Sequence, residues 1–364
     1  MTQVSARDTP QQTGSAPDRL DHRRRVRRSA LWIGGLGVLL LISIPVAVGL
    51  GPVSVPPGTV AQIIVGHVFG SGAGSGLPAD DIIWLVRVPR VLLAVVVGAA
   101  LAISGVALQA LVRNVLAEPY LLGVSAGAST GAALSILFGI GVSTGATSLT
   151  GSAFIGALLA TAVVFLLAGS GGQITSVRLL LSGVAVGYVL NAATSFLIFA
   201  SDTPEGARAV LFWLLGSLTR AEWSAVAIAG LLVAGAFVTL LLWARNLDAL
   251  TLGDDTAHAL GSPPARVRAQ TLVVVAVCVG AVVAVSGGIG FVGLVVPHVA
   301  RLCVGGVHRR LLPVAALIGA TFLVWADVIA RMAFVPRELP LGIVTAVVGA
   351  PFLLFLVRRL RSAA

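Results

Sequence analysis

His22-Arg23-Arg24-Arg25-Val26-Arg27-Arg28, followed closely by the apolar run from Leu31 to Leu50, decides the class of this protein. About 20 apolar residues are what an α-helix needs to cross a hydrocarbon core roughly 30 Å thick. A secretory leader also pairs a basic stretch with an apolar one, but its apolar part runs only about 7–15 residues. Here the run is longer, and apolar segments continue almost to the C-terminus. Their approximate limits are 31–50, 91–112, 123–141, 151–168, 179–200, 223–243, 269–287, 291–305, 312–332 and 341–357. Backbone groups in lipid must bond within their own segment, so such runs are helices. The expected fold is therefore all-α and integral to the membrane, with about ten transmembrane helices.

Composition agrees. The 364 residues are 57% hydrophobic and 10% charged, with a mean hydropathy of +1.02. A soluble domain carries about 25% charged residues. Residues 1–22 are rich in Ser, Thr, Gln, Asp and Pro, and 1–28 is expected to be a disordered cytoplasmic extension. Residues 29–364 read as one membrane domain.

The net charge is +10, and all 24 basic residues are arginine. A Walker A loop requires a lysine, so this chain has no such ATP site. Arg23 to Arg28, Arg113, Arg178, Arg245, Arg266, Arg268, Arg309, Arg310, Arg358, Arg359 and Arg361 fall on one side of a ten-span topology. The positive-inside rule makes that side cytoplasmic and puts both termini there. The same distribution argues against nucleic acid as a partner. Cys278 and Cys303 imply neither a disulfide framework nor a metal site, and the five histidines lack metal-binding spacing.

Val97-Gly98-Ala99-Ala100-Leu101-Ala102-Ile103-Ser104-Gly105 is echoed by Val279-Gly280-Ala281-Val282-Val283-Ala284-Val285-Ser286-Gly287, identical at six of nine positions. Five spans separate equivalent points, so the copies cross in opposite directions. That is the inverted repeat of many transporters.

Gly123, Gly127 and Gly131 recur every four residues, a smooth face for close helix packing. The same stretch fits G-x-S-x-G around Ser125. That motif needs a strand-to-helix elbow, and none precedes it. Asp327 lies inside a span, with Arg331 one turn on, and is read as their structural pairing. Glu118 and Glu222 lie near span ends. Between spans, Asp254, Asp255, His258 and Leu260 can share a short helix ended by Gly261 and Pro263. It suits a cytoplasmic motor subunit. Arg87-Val88-Pro89-Arg90 runs against the positive-inside trend and suits an acidic external partner.

Arg87-Val-Pro-Arg90, Gly98 to Gln109, Arg113-Asn-Val-Leu-Ala-Glu-Pro119 and Leu122-Gly-Val-Ser-Ala-Gly127 resemble the FecCD family of permeases for ferric siderophores, haem and vitamin B12. Trp213-Leu-Leu-Gly-Ser217, Gly290 to Arg301, His308 to Pro313 and Glu338 to Pro351 extend the resemblance in order over roughly residues 30–360. Val115 stands where the family usually has proline. The resemblance implies a vitamin B12 permease-like ten-helix permease domain, with no enzyme activity and no cofactor or metal of its own. ATP and Mg belong to a partner ATPase dimer. A second permease subunit, identical or sister, and an external substrate-binding lipoprotein are also implied, with lipid around the whole in the cell membrane. Arg87, Arg90 and Arg331 match family positions that receive glutamates of the binding protein, with Arg337 added beside them. Asp254 to Gly261 matches the coupling helix. The fifth and tenth spans are expected to line the path, with Asn191, Ser195 and Thr345 on it. The cargo is expected to be a ferric siderophore, with haem or cobalamin as alternatives. An ion-coupled secondary transporter would need more intramembrane carboxylates than Asp327.

Overall fold

The computed structural model describes residues 19–53, 55–70, 79–141, 146–170 and 174–361, and the described residues contain no strand. Helix α1 spans Arg19–Gly49 and α2 Pro57–Phe69. A single turn, α3 (Ala79–Asp81), continues through a π turn (Ile82–Arg87) into α4 (Val88–Val112). A 3-10 turn at Pro119–Leu122 leads into α5 (Val124–Phe138), α6 (Ala146–Gly169), α7 (Ser176–Phe199) and α8 (Pro204–Leu214). Then come α9 (Trp223–Leu242), α10 (Ala244–Thr251), α11 (Asp254–Ala259), α12 (Pro264–Ser286), α13 (Val292–Val304), α14 (His308–Met332) and α15 (Leu341–Arg361).

Among the described residues, seven segments are long and apolar enough to cross a membrane: α1, α3 to α4, α6, α7, α9, α12 and α14. The shorter apolar helices are α2, α5, α13 and α15, and the last three coincide with expected spans, so all ten expected spans are helical. The sequence did not mark α2, α8 or α10 as helices. The second span begins near Ala79 rather than residue 91. Pro89 has no N–H for the helix ladder. The π turn absorbs this defect, with Val88 N–H reaching back to Ile83 O. Residues 19–28 of the extension expected over 1–28 are the first residues of α1. Residues 1–18 lie outside the described residues.

The two ends of the bundle are fixed by contacts. Asp254 on α11 pairs with Arg268 at the start of α12 and Arg113 after α4, while Asp248 on α10 pairs with His308 at the start of α14. These define a basic face. On the opposite face, Arg87 and Arg331 reach the end of α1. There Leu341 and Gly342, at the start of α15, donate to Gly216 O and Leu215 O. The two copies of the repeat lie in α4 and α12, which therefore run in opposite directions.

Helices α4 and α14 form the centre. A Cβ on Gly98 would strike the carbonyl of Gly319, and one on Gly319 the carbonyl of Gly98. Helix backbones meet there with nothing between them, as small-residue packing in lipid allows. Gly105 meets Gly293 on α13 in the same way. Gly127 and Gly131 seat α5 on the backbone of α6 at Gly156 and Ser152. Gly123 does not join that face; at φ +74 it caps the 3-10 turn ahead of α5. Between α12 and α13 the chain breaks at Gly287 to Phe291, and Phe291 is held at φ +68. A non-glycine residue there costs roughly 1–2 kcal/mol. Phe291 N–H donates to the Glu118 carboxylate at 2.6 Å, which holds the break in place.

Candidate functional site

Two polar clusters close the bundle, one at each end. On the face opposite the basic one, Asp327 is fully buried in α14. Its Oδ1 accepts from Arg90 Nε at 2.9 Å, and its Oδ2 lies 2.9 Å from Arg331 Nε. The i,i+4 pairing of Asp327 with Arg331 is as the sequence suggested, and Arg90 from α4 completes it. Arg90 spends its two terminal nitrogens on Glu338, at 3.0 and 2.9 Å. This is the parallel, bidentate geometry that makes arginine–carboxylate pairs strong. Arg331 also donates to Leu50 O at 2.9 Å and Ala47 O at 3.2 Å. Arg87 donates to Val48 O, Gly49 O and Val53 O. Two guanidiniums thus cap the carbonyl end of α1, where the helix dipole favours cations.

Of the four arginines expected to be open to a docking partner, three are buried: Arg87 at 6%, Arg90 at 7% and Arg331 at 4% exposure. Arg337 alone is exposed. The motif spacing gave no sign of this. The burial comes from acids and carbonyls brought in from α1, α14 and the segment before α15. Beside this cluster, His67 on α2 stacks on Trp84 at 4.4 Å and bonds Asp80 at 3.1 Å. Trp223 donates to Trp84 O. These contacts tie α2 to the bundle.

At the basic face, Asp254, Asp255 and His258 share α11, Leu260 caps it, and Gly261 follows at φ +77. Asp255, His258 and Leu260 are exposed, Leu260 at 64%. Asp254 is not free. It receives Arg268 Nη2 at 2.7 Å and Nη1 at 3.0 Å, with Arg113 at 3.5 Å. Those hydrogen bonds from Arg268 hold its carboxyl below the ordinary aspartate value, with Arg113 adding to the effect. Arg268 itself is 2% exposed and also donates to Leu111 O, Ile174 O and Ser176 Oγ. Asp248 accepts both the backbone N–H and the ring Nδ1 of His308. Each short helix is thus tied to a long one, α11 to α12 and α10 to α14. Leu252, between α10 and α11, is 65% exposed.

The expected path residues separate. Asn191 and Ser195 are exposed on α7. Thr345 is fully buried, bonded to Gly342 O, and lines a small cavity with Phe291. The exposed face of α15 instead carries Ile343, Val347 and Leu354. Phe291 seats against Gly349, so that side of α15 turns inward. An apolar groove of about 660 Å³ lies between α5, α6 and α7. Among the described residues no cluster of His, Cys, Asp or Glu could hold a metal ion.

Sequence reasoning missed Glu338, Arg268, the Asp248–His308 pair and the Gln109–Arg301 contact at 2.6 Å. Glu338 stands in the loop before α15 and the others near helix ends, where an ordinary solvated polar residue looks the same in sequence.

The model of the FecCD transport family matches residues 39–359. The chain belongs to that family. The hemin transport system permease protein HmuU of Yersinia pestis is 44% identical over 283 residues, covering 77% of this chain and 84% of that protein. The cobalamin import system permease protein BtuC of Halobacterium salinarum is 38% identical over 369 residues, covering 92% and 98%. A solved structure assigned to the metal-chelate type of ABC transporter, in an inward-facing conformation, superposes with a TM-score of 0.78 at 33% identity. That match covers 90% of this chain and 98% of its counterpart. This FecCD protein is thus a multi-pass permease subunit of an ABC importer.

Proposed function

We propose that this permease carries ferric siderophores inward, paired with a second permease and driven by ATP hydrolysed with Mg on a separate ATPase dimer. The observation that carries the ATP-driven reading is the state of Asp327. It is buried in a long span, with Oδ1 bonded by Arg90 and Oδ2 2.9 Å from Arg331 Nε, so it serves as counter-ion to two arginines rather than as an ion relay. The faces of α7 and α15 left exposed by the bundle are neutral and mostly apolar between their ends. Such faces suit a bulky chelate that must be released as readily as it enters. They are also where a second permease would close the path.

On the positive-inside rule the basic face is cytoplasmic. The ATPase would then press on α10 and α11, with Leu252 and Leu260 as apolar contacts. Asp254–Arg268 and Asp248–His308 would carry that motion into α12 and α14. An external binding lipoprotein would dock on the opposite face, at Arg337 and the cluster beneath it. Haem is the second reading, favoured by the 44% identity to a hemin permease.

The test is uptake of labelled ferric siderophore, haemin and cobalamin, side by side, in a strain deleted for this chain and in its complemented parent. Loss and recovery of siderophore-iron uptake alone is expected. Loss of haemin or cobalamin uptake alone would overturn the siderophore reading and name the cargo.

A further inference from the structure

The apolar groove of about 660 Å³ lies between three helices that the bundle places at membrane depth, α5, α6 and α7. Its floor is backbone. A Cβ on Gly127 would strike Gly156 O, and one on Gly156 would strike Gly127 O, so no side chain rises between α5 and α6 there. One wall is a straight stripe on α6, where Ile155, Leu159, Val163 and Leu167 recur every four residues and are all exposed. The other wall is α7, through Ala185 and exposed Val189. Helix α7 is fastened to α5 at two points. A Cβ on Gly183 would strike Leu121 O, just ahead of α5. Higher up, Thr130 Oγ1 lies 3.1 Å from Leu190 O and 3.0 Å from Thr194 Oγ1. Both walls are therefore held by α5, and the groove is a fixed feature of the fold.

We propose that this groove seats one acyl chain of a phospholipid from the leaflet at the basic face, with the lipid phosphate at Arg178. Length supports this occupant. Helix α6 ends at Gly169 and its neighbour α7 begins at Ser176, so Leu167 and Arg178, each two residues from its helix end, lie at one level. From Leu167 the stripe climbs α6 to Ile155, roughly 18 Å at about 1.5 Å per residue. That is close to one leaflet, half of a hydrocarbon core about 30 Å thick. Charge supports it too. Ile174 O and Ser176 Oγ, at this end of α7, accept from Arg268, which puts exposed Arg178 at the basic face. At about 100° per residue Arg178, Ser182, Ala185 and Val189 form one stripe along α7. A cation thus stands at the mouth of the slot and apolar surface follows inward, the order of polarity of a phospholipid. Asn191 and Ser195 leave α7 on nearly the opposite side. A second permease or a cargo that meets those residues leaves the groove uncovered, and in the hydrocarbon layer there is no water to fill it. A chain seated there braces α7 against α6.

The experiment is native mass spectrometry of the full chain, reconstituted in nanodiscs of dioleoyl-phosphatidylglycerol, released into detergent and washed by gel filtration. Wild type is expected to keep one phospholipid per chain. Ala185→Trp and Val163→Trp fill the groove from either wall, and either one suffices if the other does not fold. Each is expected to lower retention at least about tenfold, because every CH₂ of the displaced chain loses its seat. Leu231→Trp puts the same bulk on an exposed position of α9 and is expected to keep the lipid. Arg178→Gln is expected to lower retention about fivefold, the worth of one arginine near an anionic surface. Wild-type retention in both groove variants, with elution and unfolding temperature unchanged, would overturn the site. Equal loss in Leu231→Trp would overturn it as well, by showing a non-specific lipid shell. Unchanged lipid with an altered number of chains per particle in the groove variants would make the groove a protein interface instead. Wild-type retention in Arg178→Gln would overturn the placing of the phosphate. None of these results depends on cargo or ATP, so failure here is distinct from failure of the transport reading.

Discussion

Replacing Asp327 by asparagine isolates the electrostatic centre of the bundle. The change keeps the shape and one acceptor but removes the charge that Arg90 Nε and Arg331 Nε each meet at 2.9 Å. The site is fully buried, so water cannot replace what is lost. Breaking a buried pair by deleting one partner typically costs about 3–5 kcal/mol. Part is recovered here. Arg331 keeps the carbonyls of Leu50 and Ala47, and Arg90 keeps Glu338. A loss near the lower bound, about 3 kcal/mol, is the expected result. In a thermal-unfolding assay in nanodiscs this corresponds to a fall of roughly 5 °C or more. Asp327→Asn combined with Arg331→Gln should cost clearly less than the sum of the two single changes, because the double variant no longer strands Arg331. A loss under about 1 kcal/mol, or strict additivity in the double variant, would refute the assignment of Asp327 as counter-ion to both arginines.

Gly98→Ala should destabilise the bundle by about 1–3 kcal/mol, because its methyl would meet the Gly319 carbonyl. Gly235→Ala on α9, where a Cβ meets open space, should be neutral or raise stability slightly in the same unfolding assay. Asp254→Asn should lower the unfolding temperature at neutral pH through a loss of about 1 kcal/mol, the modest worth of a one-third exposed pair. Because the native carboxyl of Asp254 titrates below its ordinary value of 3.8, its contribution is complete above that pH. The gap between wild type and variant should therefore hold from pH 8 to 5 and close only as pH falls below about 3.8. A gap that closes near pH 6 would implicate a different group. Leu252→Asp with Leu260→Asp should abolish co-purification of the ATPase while leaving the unfolding temperature of the isolated chain unchanged, since both side chains are exposed. Unaltered co-purification would remove α10 and α11 from the ATPase contact.

Helix existence was legible because lipid leaves the backbone no alternative: an apolar run near 20 residues long must be helical wherever it lies. The same rule gave the ten apolar helical segments, and arginine bias gave an expected side for each loop. Helix α11 was legible for a local reason, since Asp254 to Gly261 carries its own start and stop. The missed helices α2, α8 and α10 are short and do not span, so hydropathy says nothing of them. Glycine spacing correctly marked Gly127 and Gly131 as a packing face, but spacing is blind to φ, and Gly123 proved to be a turn.

What the sequence by itself determined is the solvent of this protein, meaning which segments are apolar enough to lie in lipid, and the lack of the lysine that a Walker A loop needs. What only the tertiary structure decided is the state of each charged group. Arg87, Arg90 and Arg331 read as open docking residues in sequence and are enclosed in the fold, because Asp327, Glu338 and the carbonyls of α1 come from distant points on the chain. The physical reason is one of range. Hydropathy and helix formation are settled within one segment, whereas a buried charge is tolerated only by partners that packing supplies from elsewhere.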